Sequence, residues 1–99
     1  MTDYTNDAQQ RLCRLVVLLF ADVVNGLAPS QLAKELGCTS TAMTRDLFNL
    51  VKAGLAEKTD SGLYRLTPRL PQQAVKVFAA INAAETRLSE ARQRYGAAF

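Results

Sequence analysis

The sequence predicts a mainly α-helical domain of the α+β class, in which a three-helix core is followed by a small β-hairpin and a long C-terminal helix. Two observations predict this class. Apolar residues recur every three or four positions in four separate segments, which is typical of helices that pack through one face. Between the third and fourth segments, residues 55–67 lose this period and contain a short turn sequence. With 99 residues, 48% of them apolar and 21% charged, the chain has the size and composition of one folded domain.

The first helix is predicted over residues 7–24. Thr5 or Asn6 can cap it, because a side-chain oxygen accepts a hydrogen bond from the free amides of the first turn. Asn25 and Gly26 end it, since glycine tolerates the left-handed conformation that closes helices. The apolar positions expected to face the core are Leu12, Leu15, Val16, Leu19, Phe20 and Val23.

Two shorter helices follow with little chain between them. Pro29 suits the first turn of a helix that Gly37 stops. A third helix begins near Thr39 or Ser40 and ends at Ala53, before Gly54. A helix, a tight glycine turn and a second helix at this spacing indicate a helix-turn-helix.

Residues 55–59 and 63–67 are predicted to pair as a β-hairpin. The turn sequence Asp60-Ser61-Gly62 separates them, and Gly62 can adopt the positive φ that such turns require. The hairpin has the size of the wing in a winged helix-turn-helix. Pro68 and Pro71 bracket an extended crossing to the last helix, because proline cannot donate to a strand ladder.

The last helix is predicted over residues 71–95 and carries an apolar seam. A seam sustained over three heptads favours packing against a partner helix, and we expect a homodimer. The alternative is that this face packs on the first helix of the same chain. The division is therefore residues 1–25 for the first helix, 26–70 for the helix-turn-helix and wing, and 71–99 for the dimerisation helix. The seam residues are Val77, Ile81, Ala84, Leu88, Ala91 and Tyr95.

The composition argues against several classes of function. The chain has no histidine, no glycine-rich phosphate loop and no paired carboxylates, so we expect no enzymatic activity. Cys13 and Cys38 lack metal-ligand spacing, and we expect two reduced thiols, no metal and no cofactor in a cytoplasmic protein. The apolar run at residues 15–21 ends at Asp22. Its length is well below the roughly 18 residues that a membrane span requires.

The segment between Gly37 and Gly54 holds the candidate site. If Met43, Leu47, Leu50 and Val51 point into the core, the helical step turns a face of hydroxyls, one arginine and one phenylalanine outward. Arginine can donate two hydrogen bonds to guanine, serine and threonine reach base edges or phosphates, and phenylalanine can contact a thymine methyl group. The alternative is an ordinary solvated helix face. The outward residues are Ser40, Thr41, Thr44, Arg45 and Phe48.

Four motifs are informative through their order along the chain: GLAPSQLAKELG at residues 26–37, Thr44-Arg45, LVKAGL at residues 50–55 and GLYRLTPRL at residues 62–70. Over residues 12–73 the sequence resembles the N-terminal winged helix-turn-helix domain of the IclR family of bacterial transcription regulators. The resemblance implies that helix 40–53 enters the major groove of DNA, that the second helix crosses the phosphate backbone and that the wing lies against the backbone or minor groove. The residues assigned to the backbone are Ser30, Gln31, Lys34, Lys58, Ser61 and Arg65.

The sequence departs from the IclR pattern in two ways. Asp46 stands where the family usually has an apolar residue, and Phe48 stands where a polar one is common, so two rotations of the helix remain open, with Phe48 on DNA or in the core. The second departure is that we expect no effector-binding domain, since the one predicted helix accounts for the residues given after the wing. In outline, a winged helix with one helix on each side also resembles the dimeric ArsR and MarR repressors, although the metal-sensing cysteine cluster of ArsR proteins has no counterpart here.

The charge distribution agrees with a nucleic-acid partner. The net charge is +3, from −1 over residues 1–38, +2 over residues 39–70 and +2 over residues 71–99. This excess is small, so two protomers on adjacent half-sites would be needed for firm binding. The sequence therefore predicts a homodimeric repressor that binds double-stranded DNA, with Arg45 reading bases beside Thr41 and Thr44. The alternatives are a protein-interaction adaptor with a protein partner, and a metabolite or metal sensor with a pocket between the first and last helices.

Overall fold

The computed structural model describes residues 2–96, which belong to two compact units. The first unit ends at Arg69, and the second begins at Leu70. The mainly α fold with one antiparallel hairpin is confirmed. The elements of the first unit are α1 (Asp7–Leu18), a 3₁₀ helix (Leu19–Asp22), α2 (Pro29–Leu36), α3 (Ser40–Lys52), β1 (Ala56–Lys58) and β2 (Tyr64–Leu66).

Helix α1 begins where the sequence predicts and ends earlier. The Asn6 side chain accepts a hydrogen bond from the backbone N–H of Gln9 at 3.0 Å, which caps the first turn. After Leu18 the chain tightens into the 3₁₀ helix, which has three residues per turn. Phe20 and Val23 are exposed, so their predicted place in the core is wrong. Leu15 and Leu19 define the buried face, and Phe20, the residue after Leu19, lies at least 100° away from it around the helix axis.

Helices α2 and α3 confirm the predicted helix-turn-helix. Gly37 ends α2 with a left-handed φ of +65°. The Thr39 side chain then caps α3 by accepting a hydrogen bond from the backbone N–H of Ala42 at 3.1 Å. Gly54 follows α3 with a φ of +78°. The two helices pack over a core that also receives side chains from α1, the 3₁₀ helix and the hairpin. The buried apolar residues of this core are Leu15, Leu19, Leu32, Ala33, Met43, Leu47, Leu50, Ala56 and Leu66.

Strands β1 and β2 pair in antiparallel register, with Glu57 opposite Arg65. The sequence does not reveal a third chain segment that joins them. The backbone N–H of Leu27 donates to the carbonyl of Tyr64 at 2.8 Å, and the N–H of Tyr64 donates back at 2.9 Å. This bridge fastens the wing to the segment that enters α2.

Substitution of Gly26 tests this bridge. We expect Gly26→Ala to lower the free energy of unfolding by about 2–3 kcal/mol. An added Cβ would stand 2.8 Å from the Tyr64 carbonyl oxygen, and the φ of +93° already disfavours a side chain. Urea unfolding followed by circular dichroism measures the loss. Gly62→Ala is the matched control, because its φ is +83° but no heavy atom lies within 4 Å of its Cβ. Equal losses in both variants would exclude the close contact as the cause.

The second unit contains helix α4 (Pro71–Gly96), and none of its described residues is buried. The remainder of the predicted dimerisation segment, residues 97–99, lies outside the described residues. No helix within residues 2–96 is both long enough and apolar enough to span a membrane.

Candidate nucleic-acid interface

Helix α3 presents one face to the core and the opposite face to solvent. Met43, Leu47 and Leu50 are buried, as the sequence predicts. Val51 is 41% exposed, so its predicted inward position is wrong. The buried face is completed by Asp46, one helical turn from both Met43 and Leu50 on the same side of the helix.

The outward residues predicted for base contact are all exposed: Ser40, Thr41, Thr44, Arg45 and Phe48. Directly opposite the core lie Thr41, Arg45, Phe48 and Lys52, which follow one another at steps of four, three and four residues and therefore form one row along the helix. We call this row the α3 stripe. Phe48 stands in the middle of the stripe and is 67% exposed.

A largely buried ion pair fixes the rotation of α3. Asp46 is only 7% exposed, and its carboxylate accepts hydrogen bonds from Nε of Arg11 at 2.6 Å and from a terminal guanidinium nitrogen of Arg11 at 3.1 Å. The hydrogen bond to Asp46 raises the pKa of Arg11 above its ordinary value. A charged residue can occupy this core position because α1 supplies its partner. The ion pair settles the two rotations that the sequence leaves open, since Asp46 faces inward and Phe48 faces solvent.

The solvent face of α3 carries positive charge without compensation from its own helix. Asp46 is the one carboxylate among residues 40–52, and Arg11 neutralises it in the interior. Arg45 and Lys52 both lie in the α3 stripe. No residue that the structure describes forms a hydrogen bond or ion pair with the guanidinium of Arg45. A polyanion that approaches this face would meet two cations and no exposed acid of α3.

The N-terminus of α2 leaves its first-turn amides without a side-chain cap. Ala28 occupies the cap position and Pro29 begins the helix. Ser30, Gln31 and Lys34, the predicted backbone contacts of this helix, are all exposed. Uncapped amides at a helix N-terminus can donate hydrogen bonds to a phosphate.

The predicted contacts of the wing differ in exposure and in the partners they already hold. The Ser61 hydroxyl forms a hydrogen bond of 3.0 Å with the Thr59 hydroxyl. Lys58 and Ser61 are exposed, and the ammonium group of Lys58 lies 6.0 Å from the centroid of the Tyr64 ring. The guanidinium of Arg65 donates to the Glu57 carboxylate at 2.9 Å and to the Val24 carbonyl at 2.7 Å. Arg65 therefore holds the wing against the turn that follows the 3₁₀ helix, a role that its sequence position does not reveal.

Metal-ligating and thiol groups are dispersed. The described residues contain no group of three or more cysteine, histidine, aspartate or glutamate side chains that could hold a metal ion. Cys13 is exposed and Cys38 is partly buried, and both are free thiols.

Comparison with solved structures finds related folds. The chain is similar to the crystal structure of the MarR family transcriptional regulator SPO1453 from Silicibacter pomeroyi DSS-3, with a TM-score of 0.50 and 26% identity over 88% of this chain. It is also similar to the crystal structure of RV1404 from Mycobacterium tuberculosis, with a TM-score of 0.56 and 21% identity over 93% of this chain and 72% of the other. The fold is a winged helix-turn-helix.

The chain spans 61% of the length of the SPO1453 protein. That protein is named as a MarR family member, so the comparison lends no support to the IclR family in particular. No protein-family model matches the sequence, and no curated protein matches it.

Two parts of the interface are not apparent from the sequence analysis. Lys52 joins the α3 stripe, although it was not among the predicted contacts; its spacing of seven residues from Arg45 is the signal that could have identified it. The ion pair of Arg11 with Asp46 joins residues that are 35 positions apart in the sequence, and no local sequence pattern indicates such a contact.

Proposed function

We propose that the chain binds double-stranded DNA through α3 and the wing, and regulates transcription in the cytoplasm as a homodimeric repressor. In this proposal Arg45 reads a base edge beside Thr41 and Thr44, and Lys34 and Lys58 contact phosphates. The resemblance to a named transcriptional regulator supports the proposal at the level of the fold and the general class of function.

The observation that carries the proposal is the chemistry of the α3 stripe. A single helix face that combines a hydroxyl, two cations and an apolar ring matches the groups displayed in the major groove, which offers acceptors, donors, phosphate charge and thymine methyl groups. The one acidic group of α3, Asp46, is buried and paired with Arg11, so it does not oppose a DNA phosphate at this face. Helix α2 and the wing lie on either side of α3 in the sequence, and each exposes a lysine, Lys34 or Lys58.

Selection of bound duplexes from a random library tests the proposal. We expect enrichment of an inverted repeat, because a twofold dimer places two copies of α3 on equivalent half-sites. The dissociation constant for the enriched duplex should rise steeply between about 50 and 200 mM salt as counterion release is lost. A pool without enrichment, together with binding that does not respond to salt, would contradict DNA binding and favour the protein-interaction adaptor.

The homodimer part of the proposal rests on α4. This helix is 26 residues long, and its predicted seam is exposed at five of six positions, the sixth, Ala91, being partly buried. Four of the exposed positions carry the large apolar side chains Val77, Ile81, Leu88 and Tyr95. A continuous apolar face of this length is typical of a helix that pairs with a partner.

We expect Leu88→Asp to abolish the dimer, because the carboxylate would be buried in the middle of the seam. Light scattering of the wild-type chain should give twice the 10.8 kDa protomer mass, and the variant should give the protomer mass. Val75→Asp is the matched control, because Val75 is 69% exposed on α4 but lies away from the seam. A wild-type chain that is monomeric at all concentrations, or a dimer that persists in Leu88→Asp, would contradict this assignment.

We expect Lys58→Ala to weaken binding of all duplex sequences to a similar extent, because a phosphate contact carries no base information. The slope of log affinity against log salt should fall by about one unit. Lys76→Ala, an exposed lysine of α4, is the matched control and should leave the slope unchanged. A selective loss on one sequence in Lys58→Ala would instead indicate a base contact from the wing.

A further inference from the structure

Phe48 occupies an unusual position for a large aromatic side chain. It is 67% exposed, it lies opposite the buried face of α3, and the residue two positions earlier, Asp46, is in the interior. Burial of a phenylalanine is worth roughly 1.5–3 kcal/mol relative to exposure, so simple core packing would favour the reverse arrangement. The chain therefore forgoes the stability that burial of this ring would bring.

The ion pair with Arg11 prevents α3 from rotating to bury Phe48. Such a rotation would bring the Asp46 carboxylate out of reach of the Arg11 guanidinium, with which it forms two hydrogen bonds of 2.6 and 3.1 Å. It would also expose Met43 and Leu47, which are fully or almost fully buried. Phe48 is thus held on the surface by the packing of the opposite face.

The neighbours of Phe48 favour a nucleic acid over a protein as its partner. Arg45 and Lys52 stand on either side of it along the α3 stripe, three residues before and four residues after. No exposed carboxylate of α3 lies near it, because Asp46 is buried. An apolar ring between two cations fits a major groove in which a thymine methyl group lies between backbone phosphates.

We propose that Phe48 is a specificity-determining residue that recognises the C5-methyl group of thymine in the major groove. This inference rests on the proposed function and adds to it the identity of one base that the preferred duplex must contain. The C5-methyl group is the only feature that separates thymine from deoxyuridine on the groove edge. Replacement of thymine by deoxyuridine therefore removes the apolar contact and leaves base pairing unchanged.

The test uses the full chain and the duplex most enriched in the selection, with each thymine replaced in turn by deoxyuridine. At one position in each half-site, the wild-type chain should lose about fourfold in affinity, the effect of removing one buried methyl group. Phe48→Ala should bind the thymine duplex more weakly and should show no further loss on the deoxyuridine duplex. Its unfolding midpoint should equal that of the wild type, because the ring is exposed.

Val17→Ala is the matched control, since it truncates an apolar side chain that is also exposed, on α1, and it should keep the wild-type response to deoxyuridine. Wild-type affinity that is indifferent to every deoxyuridine substitution would overturn the inference while leaving DNA binding intact. Equal sensitivity of Phe48→Ala and the wild type would also overturn it. Absence of any duplex preference in the selection would instead be a failure of the proposed function.

Discussion

The Asp46→Ala variant should unfold roughly 10 °C or more below the wild type. The substitution leaves the Arg11 guanidinium in a partly buried site without the carboxylate that accepts its two hydrogen bonds, and it leaves a void between α1 and α3. Thermal unfolding followed by circular dichroism measures the midpoint. The loss should be large because removal of one partner leaves the other charge unpaired in a partly buried site. The free-energy cost of that unpaired charge exceeds the stability that the intact pair contributes.

Two further variants show whether the ion pair is the cause. Asp60→Ala removes an exposed aspartate from the wing turn and should leave the midpoint close to that of the wild type. The double variant Arg11→Leu with Asp46→Leu removes both charges and supplies apolar volume, so it should recover much of the stability that Asp46→Ala loses. A double variant that is no more stable than Asp46→Ala would contradict the explanation by an unpaired charge.

The second large effect is expected on DNA. Arg45→Ala should weaken binding to the selected duplex by about 1–3 kcal/mol, which corresponds to roughly 5- to 150-fold, and should relax the preference at one base pair. The reason is that Arg45 lies in the α3 stripe with its guanidinium unengaged by any described residue, so it is available for a guanine edge. Mobility-shift titration on the selected duplex and on a scrambled one gives both quantities.

Arg45→Lys and Arg14→Ala serve as controls for this effect. Lysine keeps the charge but cannot form the planar pair of hydrogen bonds with guanine. Compared with Arg45→Ala, Arg45→Lys should therefore regain affinity for the scrambled duplex but not the preference for the selected duplex over the scrambled one. Arg14 is an exposed arginine of α1, and its loss should change little. An Arg45→Ala variant that equals the wild type on the selected duplex would remove Arg45 from base reading.

The sequence predicts the helix-turn-helix well because its signals are local. Pro29, Gly37, Thr39 and Gly54 act through backbone conformation and first-turn hydrogen bonds, and the structure places each at the helix end that the sequence indicates. The outward face of α3 follows from the same local period.

The features that the sequence analysis misses depend on contacts between distant residues. The early end of α1 follows from a 3₁₀ turn whose side chains pack against other elements, and the Leu27 bridge to Tyr64 joins segments 37 positions apart. The inward position of Asp46 is favourable only because α1 brings Arg11 to it. Local periodicity treats an aspartate as a surface residue, so the rotation of α3 cannot be settled without that partner.

The most direct test of DNA binding through α3 is a map of backbone amide chemical shifts, recorded by NMR as the selected duplex is added to the wild-type chain. We expect the largest changes in residues 40–52 of α3, with smaller ones near Lys58 and Ser61 in the wing and at Ser30 and Gln31 in α2. Changes confined to α4 or to the exposed side of α1, with α3 unaffected, would contradict the assignment of α3 as the DNA-reading helix.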